Sequence, residues 1–108
     1  MAELNTAGQA GITVRTTHQD GVPVISVAGE LDLTNAGEVR SAIKAVVGDQ
    51  DQRVVFEVGE LTFMDSSGIA LFASVTRPAR EVELRDPTPI VRRLIEMTGL
   101  DRVLRMTP

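Results

Sequence analysis

The apolar and polar positions near the start of the chain predict a β-hairpin. Apolar and polar side chains alternate from Ile12 to Thr17, as in a strand with one buried face. The segment His18–Gly21 then supplies residues typical of a turn. The next segment, Val22–Ala28, is apolar on both faces apart from Ser26, with Pro23 at its beginning. We therefore expect a half-buried strand followed by a central strand.

A helical period replaces this alternation after Leu33. Thr34 or Asn35 can cap a helix, and Glu38, three residues beyond Asn35, completes a capping-box pattern. Gly48 ends the pattern. The spacing predicts one amphipathic helix whose buried stripe consists of Ala36, Val39, Ile43, Val46 and Val47.

The middle of the chain predicts two further strands and a second helix. The β-branched and aromatic run Arg53–Val58 has the length of a strand. The segment Leu61–Gly68 is expected to be a loop that leads into a helix over the apolar stretch Ile69–Val75. Pro78 is expected to stop this helix, and Glu81–Leu84 predicts a short strand.

The C-terminal part predicts a third helix. Thr88 supplies a cap, Pro89 the first helical position, and Gly99 the stop, so the helix is expected over Pro89–Thr98. The segment Val103–Met106 is expected to be a brief strand or an extended tail. The predicted buried side of the helix consists of Ile90, Val91, Leu94, Ile95 and Met97.

This order of elements, β, β, α, β, α, β, α, predicts an α/β domain with a mixed sheet. Strands joined by a hairpin are antiparallel, whereas strands joined by a helical crossover are parallel. We expect about four to five strands backed by about three helices. A chain of 108 residues suits one domain, assigned to residues 12–108. Residues 1–11 are small, polar and without a period, and are expected to form a flexible N-terminal arm.

Composition restricts the classes of function. The N-terminal residues do not resemble a signal peptide, and no stretch approaches the roughly 18 apolar residues of a membrane span, so a soluble cytoplasmic protein without membrane contact is expected. The absence of cysteine excludes disulfides, a thiolate metal site and a redox role. A net charge of −4 and only three aromatic residues, all Phe, argue against direct nucleic-acid binding. A protein partner or a small ligand is favoured.

Residue types that support catalysis are sparse. His18 is the only histidine and falls in the predicted hairpin turn. A serine hydrolase needs a base beside its nucleophile, and the Gly-x-Ser-x-Gly elbow is absent. No pair of ligands has metal-site spacing, and no Gly-rich phosphate loop with a Lys is present. We therefore expect no catalytic residue, no metal and no cofactor.

The segment Met64–Ile69 is the one that local structure explains least. Asp65 and Ser66 can cap the following helix. Gly68 in the first turn, however, costs about 1 kcal/mol relative to Ala, and Ile69 leaves no capping box to offset it. Three successive small residues indicate an open surface that another backbone can approach. A simple helix cap and a docking or modification site are both consistent with these residues.

Phosphorylation of Ser66 is physically reasonable at such a site. A phosphate there would meet free amides and the positive end of the helix dipole, so the fold would tolerate it. It would also add about −1.5 to −2 charges next to Asp65 and could repel an acidic or apolar partner surface. The site could thus act as a switch with little change of shape.

Three motifs together resemble the STAS family of anti-sigma factor antagonists. Gly29–Asp32 precedes the first capped helix, Phe63–Ile69 contains the specific Asp-Ser-Ser-Gly string, and Thr98–Leu100 lies near the end. The similarity extends from about Ile12 to Met106. The sequence departs from the family pattern after Val75. Family members often have a longer second helix and a glycine-containing turn before the next strand, whereas here only a short segment, residues 77–80, precedes that strand.

The resemblance implies a partner-switching mechanism. In the family, the first Ser after the Asp is phosphorylated by the partner, an ATP-dependent anti-sigma factor serine kinase. The unphosphorylated form binds this anti-sigma factor and frees the sigma factor, and a serine phosphatase restores activity. Here the phosphorylated residue would be Ser66, and its choice over Ser67 rests on the family pattern. The implied partner-binding residues are Asp32, Asp65, Ser66, Ser67 and Gly68.

Two alternatives stay open at this point. One is a STAS-type scaffold or ligand-binding module in a signalling complex, in which Ser66 is never modified. The other is an enzyme of unknown type that uses Asp32, Asp65 and Ser66. The sequence is also compatible with either a monomer or a weak homodimer.

Overall fold

The computed structural model describes residues 11–47, 52–77 and 79–108, together with the backbone of residues 4–9. Its helices are α1 (Ala36–Val47), α2 (Ser66–Val75) and α3 (Pro89–Met97), followed by a 3₁₀ turn (Leu100–Arg102). Its strands are β1 (Leu4–Gln9), β2 (Ile12–Gln19), β3 (Val22–Leu31), β4 (Arg53–Glu57), β5 (Leu61–Met64), β6 (Glu81–Arg85) and β7 (Arg105–Thr107).

The described strands form one mixed sheet, as predicted. Its order is β1-β2-β3-β4-β6-β7, and β5 pairs with β3 beside the main path. The pairs β1–β2 and β2–β3 are antiparallel, whereas β3–β4, β3–β5, β4–β6 and β6–β7 are parallel. Within the described residues the sheet has seven strands, whereas four to five were predicted. The additional strands are β1, predicted as part of an arm, and β5, predicted as part of a loop.

The β2–β3 hairpin is confirmed with a tighter turn than predicted. Gln19 pairs with Val22, so the turn contains only Asp20 and Gly21, and His18 lies within the strand. Both turn residues have positive φ angles, 54° and 80°. A two-residue turn of this kind matches the right-handed twist of the flanking strands.

The N-terminal segment differs from the predicted flexible arm. Residues 4–9 form an edge strand in which Leu4 pairs with Thr16 and Thr6 with Val14. Backbone hydrogen bonds to β2 form this strand, and they require no apolar period in its own sequence. Residues 1–3 and 10 lie outside the described residues.

The helices and the inner face of the sheet share one apolar core. On α1 the buried residues are those of the predicted stripe, except that Ala42 is fully buried and Val46 only half-buried. Phe56 of β4 and Phe72 of α2 meet edge to face with ring centroids 5.1 Å apart. Gly48 and Pro78, the predicted stops of α1 and α2, lie outside the described residues.

The buried side of α3 is narrower than predicted. Val91 and Ile95 are fully buried and Leu94 is half-buried, but Ile90 is 44% exposed and Met97 is 72% exposed. The prediction was wrong for the last two because it assigned all apolar positions to the core. The helix contacts the remainder of the domain along one side only.

The N-terminal end of α3 differs from the prediction, whereas its C-terminal end agrees with it. Thr88 is the residue at the N-cap, but its side chain makes no capping hydrogen bond and instead donates to the carbonyl of Leu61, 3.0 Å away. Gly99 has a φ of 76° and ends the helix, as predicted. Of the two possibilities predicted for Val103–Met106, a brief strand or an extended tail, the structure has a strand, β7, which covers Arg105–Thr107.

Glu83 is the centre of a charged network on the sheet face opposite the helices. Its side chain is 9% exposed and lies 3.5 to 3.8 Å from the guanidinium groups of Arg53, Arg85 and Arg105. Thr107 donates a hydrogen bond of 2.8 Å to it. This bond and the charges of Arg85 and Arg105 lower the pKa of Glu83 below its usual 4.5, although burial opposes them. The network ties β7 to the sheet.

We expect Glu83→Gln to lower the free energy of unfolding by about 1 kcal/mol at pH 7. Since the folded-state pKa of Glu83 is lowered, its charge stabilises the fold above the unfolded-state pKa, and this contribution is lost as pH falls through the folded-state pKa. In urea unfolding, the difference in free energy of unfolding between wild type and Glu83→Gln should therefore be smaller at pH 3 than at pH 7. The control is Glu96→Gln, on an exposed carboxylate of α3. A Glu83→Gln deficit that is equally large at pH 3 would contradict the expectation.

Candidate functional site

Parallel strands bring the two acidic positions of the predicted site together. Leu31 at the end of β3 pairs with Met64 at the end of β5, and the next residues in each segment are Asp32 and Asp65. The amide of Asp65 donates a hydrogen bond of 3.2 Å to the carbonyl of Leu31. Asp32 therefore lies beside the Asp65–Gly68 segment, although the two are distant in sequence.

Gly29 makes this arrangement possible. Up to Ser26, β3 pairs with β4, and from Gly29 onward it pairs with β5. At the transition, Gly29 adopts a φ of 109° and donates to the carbonyl of Glu60 at 2.9 Å. The amide of Glu30 donates to the carbonyl of Gly11 at 3.1 Å. A side chain at Gly29 would overlap that carbonyl oxygen. The position where β3 changes its partner from β4 to β5 therefore requires glycine.

A hydrogen-bonded turn follows β3 and leads into α1. The Asp32 carboxylate accepts from the amide of Thr34 at 2.9 Å and from its hydroxyl at 2.6 Å. Asn35, which is completely buried, accepts from the amide of Asp32 at 3.0 Å and donates to the carbonyl of Glu30 at 2.8 Å. The described contacts of the Asp32 carboxylate are thus within the turn.

Asp65 caps α2. Its carboxylate accepts the amide of Ser67 at 2.8 Å, and its carbonyl accepts the amides of Gly68 at 3.0 Å and Ile69 at 3.2 Å. The amides of Ser67 and Gly68 are therefore already bonded to Asp65, which limits the number of free amides that a phosphate on Ser66 would meet.

The three small residues after Asp65 have different environments. Ser66 is exposed, Ser67 is half-buried and Gly68 is buried. A Cβ on Gly68 would overlap Met64 and lie 3.0 Å from Leu31. The interpretation of an open surface therefore fits Ser66, but it is wrong for Gly68, where close packing of α2 against the strand ends excludes a side chain. Gly68 positions the site and presents no side chain to a partner.

Sequence reasoning missed Leu33 as a feature of this site. It lies in the turn after β3, directly after Asp32, and is 79% exposed. A lone apolar residue in a polar turn gives no periodic signal. The turn that contains Leu33 lies beside the start of α2 because β3 pairs with β5, and the sequence of the turn alone does not show this proximity.

Removal of the Asp65 cap should destabilise the domain. We expect Asp65→Ala to lower the free energy of unfolding by about 1 kcal/mol, since the amide of Ser67 loses its acceptor. Asp65→Asn keeps a side-chain oxygen at this position and should lose less. Urea unfolding of the three proteins measures the difference, and equal stability of the Ala and Asn variants would contradict this account.

Two further features, a metal-binding group and a membrane-spanning helix, are absent from the described residues. No group of three or more His, Asp or Glu side chains among them is arranged to hold a metal ion. Within the same residues, no helix has the length and apolar character needed to cross a membrane.

Comparison with known proteins identifies the family. The STAS domain family model matches residues 13–108. The anti-sigma-F factor antagonist RsfB of Mycobacterium tuberculosis is 31% identical over 100 residues, or 88% of this chain and 80% of that protein. An anti-sigma factor antagonist from Mycobacterium paratuberculosis has a crystal structure with a TM-score of 0.85 and 30% identity, covering 95% of this chain and 91% of that one. The phosphorylated form of the Bacillus cell fate determinant SpoIIAA shares the fold, with a TM-score of 0.65 and 23% identity over 88% of this chain and 91% of that one. In agreement with its motifs, the chain belongs to the STAS domain family.

Proposed function

We propose that this protein is an anti-sigma factor antagonist controlled by phosphorylation of Ser66. In its unphosphorylated form it binds an anti-sigma factor serine kinase, and the sigma factor held by that kinase is released. Phosphorylation of Ser66 cancels the binding, and a serine phosphatase reverses the modification. The names of the relatives support the general function, since they are anti-sigma factor antagonists.

The observation that carries the proposal is the exposure of Ser66 at the first position of α2. Its neighbour Ser67 is half-buried, with its amide bonded to Asp65, so Ser66 is the more accessible hydroxyl. Both the Asp65 cap and the packing of Gly68 hold this helix start in place. A fixed, exposed hydroxyl suits recognition by a kinase, and one protein of this fold is known in a phosphorylated form.

The modification would be a simple phosphoryl transfer. The Ser66 oxygen forms a bond to the γ-phosphorus of ATP, the bond to the β-γ bridging oxygen breaks, and ADP leaves. The hydroxyl proton passes to a base of the kinase. Hydrolysis by the phosphatase returns the serine and inorganic phosphate. In this scheme the chain is a substrate of the kinase and has no catalytic role.

The phosphate would act through charge and hydration. It adds about −1.5 to −2 charges one residue after Asp65, whose carboxylate already accepts the amide of Ser67. A docked partner would have to remove water from this phosphate, and dehydration of an uncompensated charge is costly. Binding can therefore be lost without a change in the fold, because Ser66 is exposed and a phosphate on it does not enter the core.

The test is phosphorylation of the purified protein by candidate partners. It is incubated with ATP and, in turn, each anti-sigma factor serine kinase of its own genome, and peptide mass spectrometry then locates any phosphate. We expect phosphate on Ser66 with one kinase, no phosphate on the Ser66→Ala variant, and normal phosphorylation of Ser67→Ala. A folded protein that no kinase modifies would reject the proposal in favour of an unmodified STAS scaffold.

A further inference from the structure

Leu33 is an apolar side chain that the fold holds in solvent. At 79% exposure, it is the most exposed of the large hydrophobic residues in the described part of the chain. Single exposed apolar residues are common on protein surfaces, so exposure alone indicates nothing. The two features that distinguish Leu33 are the rigidity of its turn and its location.

The turn that carries Leu33 is ordered by hydrogen bonds on both sides of it. Asp32 accepts from both the amide and the hydroxyl of Thr34, and buried Asn35 bonds to Asp32 and to Glu30. Leu33 is thus presented by a preformed backbone and does not need to be ordered when a partner binds. Preorganisation of this kind lowers the entropic cost of binding.

The same turn lies next to the proposed phosphorylation site. Leu33 is two residues beyond Leu31, whose carbonyl accepts the amide of Asp65, and Ser66 is one residue beyond Asp65. Since a residue spans at most about 3.6 Å of chain, the backbones of Leu33 and Ser66 lie near each other where β3 and β5 end, and both residues are exposed. Helices α1 and α2, which begin after these two strand ends, are neighbours in the fold.

We infer that Leu33 is an apolar anchor that enters a hydrophobic pocket of the anti-sigma factor kinase whose substrate is Ser66. The inference rests on the proposed function and adds a binding contact that the phosphorylation motif does not contain. Burial of an exposed leucine by a partner stabilises a complex because its apolar surface leaves water. It also explains how phosphate opposes docking, since the dry contact around Leu33 would have to extend over a charged group at Ser66.

The test compares truncations of two exposed apolar side chains. The binding constant of the unphosphorylated protein for its kinase is measured by calorimetry for wild type, Leu33→Ala, Leu33→Met and Met97→Ala. Met97 is 72% exposed and ends α3, next to the 3₁₀ turn, so it is a matched control on another element. Circular dichroism and thermal unfolding check that every variant keeps its fold, as expected for changes at exposed positions.

We expect Leu33→Ala to weaken binding about tenfold, and Leu33→Met to stay within about threefold of wild type. Met97→Ala should stay within about twofold. In phosphorylation assays, Leu33→Ala should raise the KM of the kinase for this protein and leave kcat unchanged, because the contact is made equally before and during the reaction. If wild type binds and Leu33→Ala binds equally well, the anchor is rejected and the proposed function stands. If wild type binds none of the kinases, the proposed function fails and the inference fails with it.

Discussion

The Ser66→Asp variant is expected to lose binding to the anti-sigma factor kinase by about 100-fold or more while it keeps the native fold. The substitution puts a permanent carboxylate at the exposed first position of α2, beside that of Asp65. A partner that dehydrates this surface would have to bury the new charge without a counter-charge. The fold tolerates it because Ser66 is exposed and an acidic residue in the first turn interacts favourably with the helix dipole. Calorimetric titration measures the binding, and thermal unfolding measures the fold.

Two further substitutions at the same position separate charge from size. Ser66→Ala should bind like the unphosphorylated protein and should stay bound in the presence of ATP, since it cannot be modified. Ser66→Asn has nearly the shape of aspartate without its charge and should retain most of the affinity. A Ser66→Asp protein that binds as tightly as wild type would remove the basis of the switch. Equal losses for Asp and Asn would assign the effect to size.

The parts of the fold that could be predicted are those determined by local residue patterns. The turn residues Asp20 and Gly21 can adopt positive φ angles, so the hairpin follows from two adjacent positions. Helix α1 could be predicted because its apolar residues recur at helical spacing and therefore lie on one face. The end of α3 could be predicted because Gly99 accommodates a left-handed conformation. In each case the responsible residues are neighbours in sequence.

The parts that were missed depend on residues distant in sequence. Strand β5 is only four residues long, and it exists because the end of β3 bends away from β4 to pair with it. Strand β1 is formed by backbone pairing with β2 rather than by its own pattern. The exposure of Ile90 and Met97 depends on which side of α3 meets the sheet. Periodicity within one segment contains none of this information.

The same distinction applies to the site. The Asp-Ser-Ser-Gly string was recognisable because a glycine in the first turn is unfavourable for an ordinary helix. The structure explains this glycine by close packing. Gly68 is small because Met64 and Leu31 occupy the space beside it. The exposed features of this segment are the hydroxyl of Ser66 and the neighbouring turn that the pairing of β3 and β5 brings beside it. The motifs therefore named Asp32 and Asp65–Gly68 as candidate site residues, but the strand pairing was needed to show that these two segments lie side by side and that Leu33 is exposed next to them.

Gly29→Ala is expected to have the largest effect on stability of any single-methyl change considered for this domain. The new Cβ would overlap the carbonyl oxygen of Gly11, lie 3.1 Å from its carbonyl carbon and 3.4 Å from the Cα of Ile12. These are backbone atoms, which cannot move aside as a side chain can. The φ of 109° is also strained for alanine. Together these effects should lower the free energy of unfolding by about 3 kcal/mol or more.

The matched control for this change is Gly37→Ala, which adds the same methyl group to an exposed position of α1 with no atom within 4 Å of it. It should be neutral or should stabilise the domain by up to about 1 kcal/mol, because alanine favours the helix. Urea unfolding followed by circular dichroism compares the two variants with wild type. Since Gly29 directs β3 toward β5, the damaged variant should also lose kinase binding, whereas Gly37→Ala should retain it. A Gly29→Ala protein as stable as wild type would mean that β3 reaches Asp32 without the left-handed residue, and the link between this glycine and the Ser66 site would have to be abandoned.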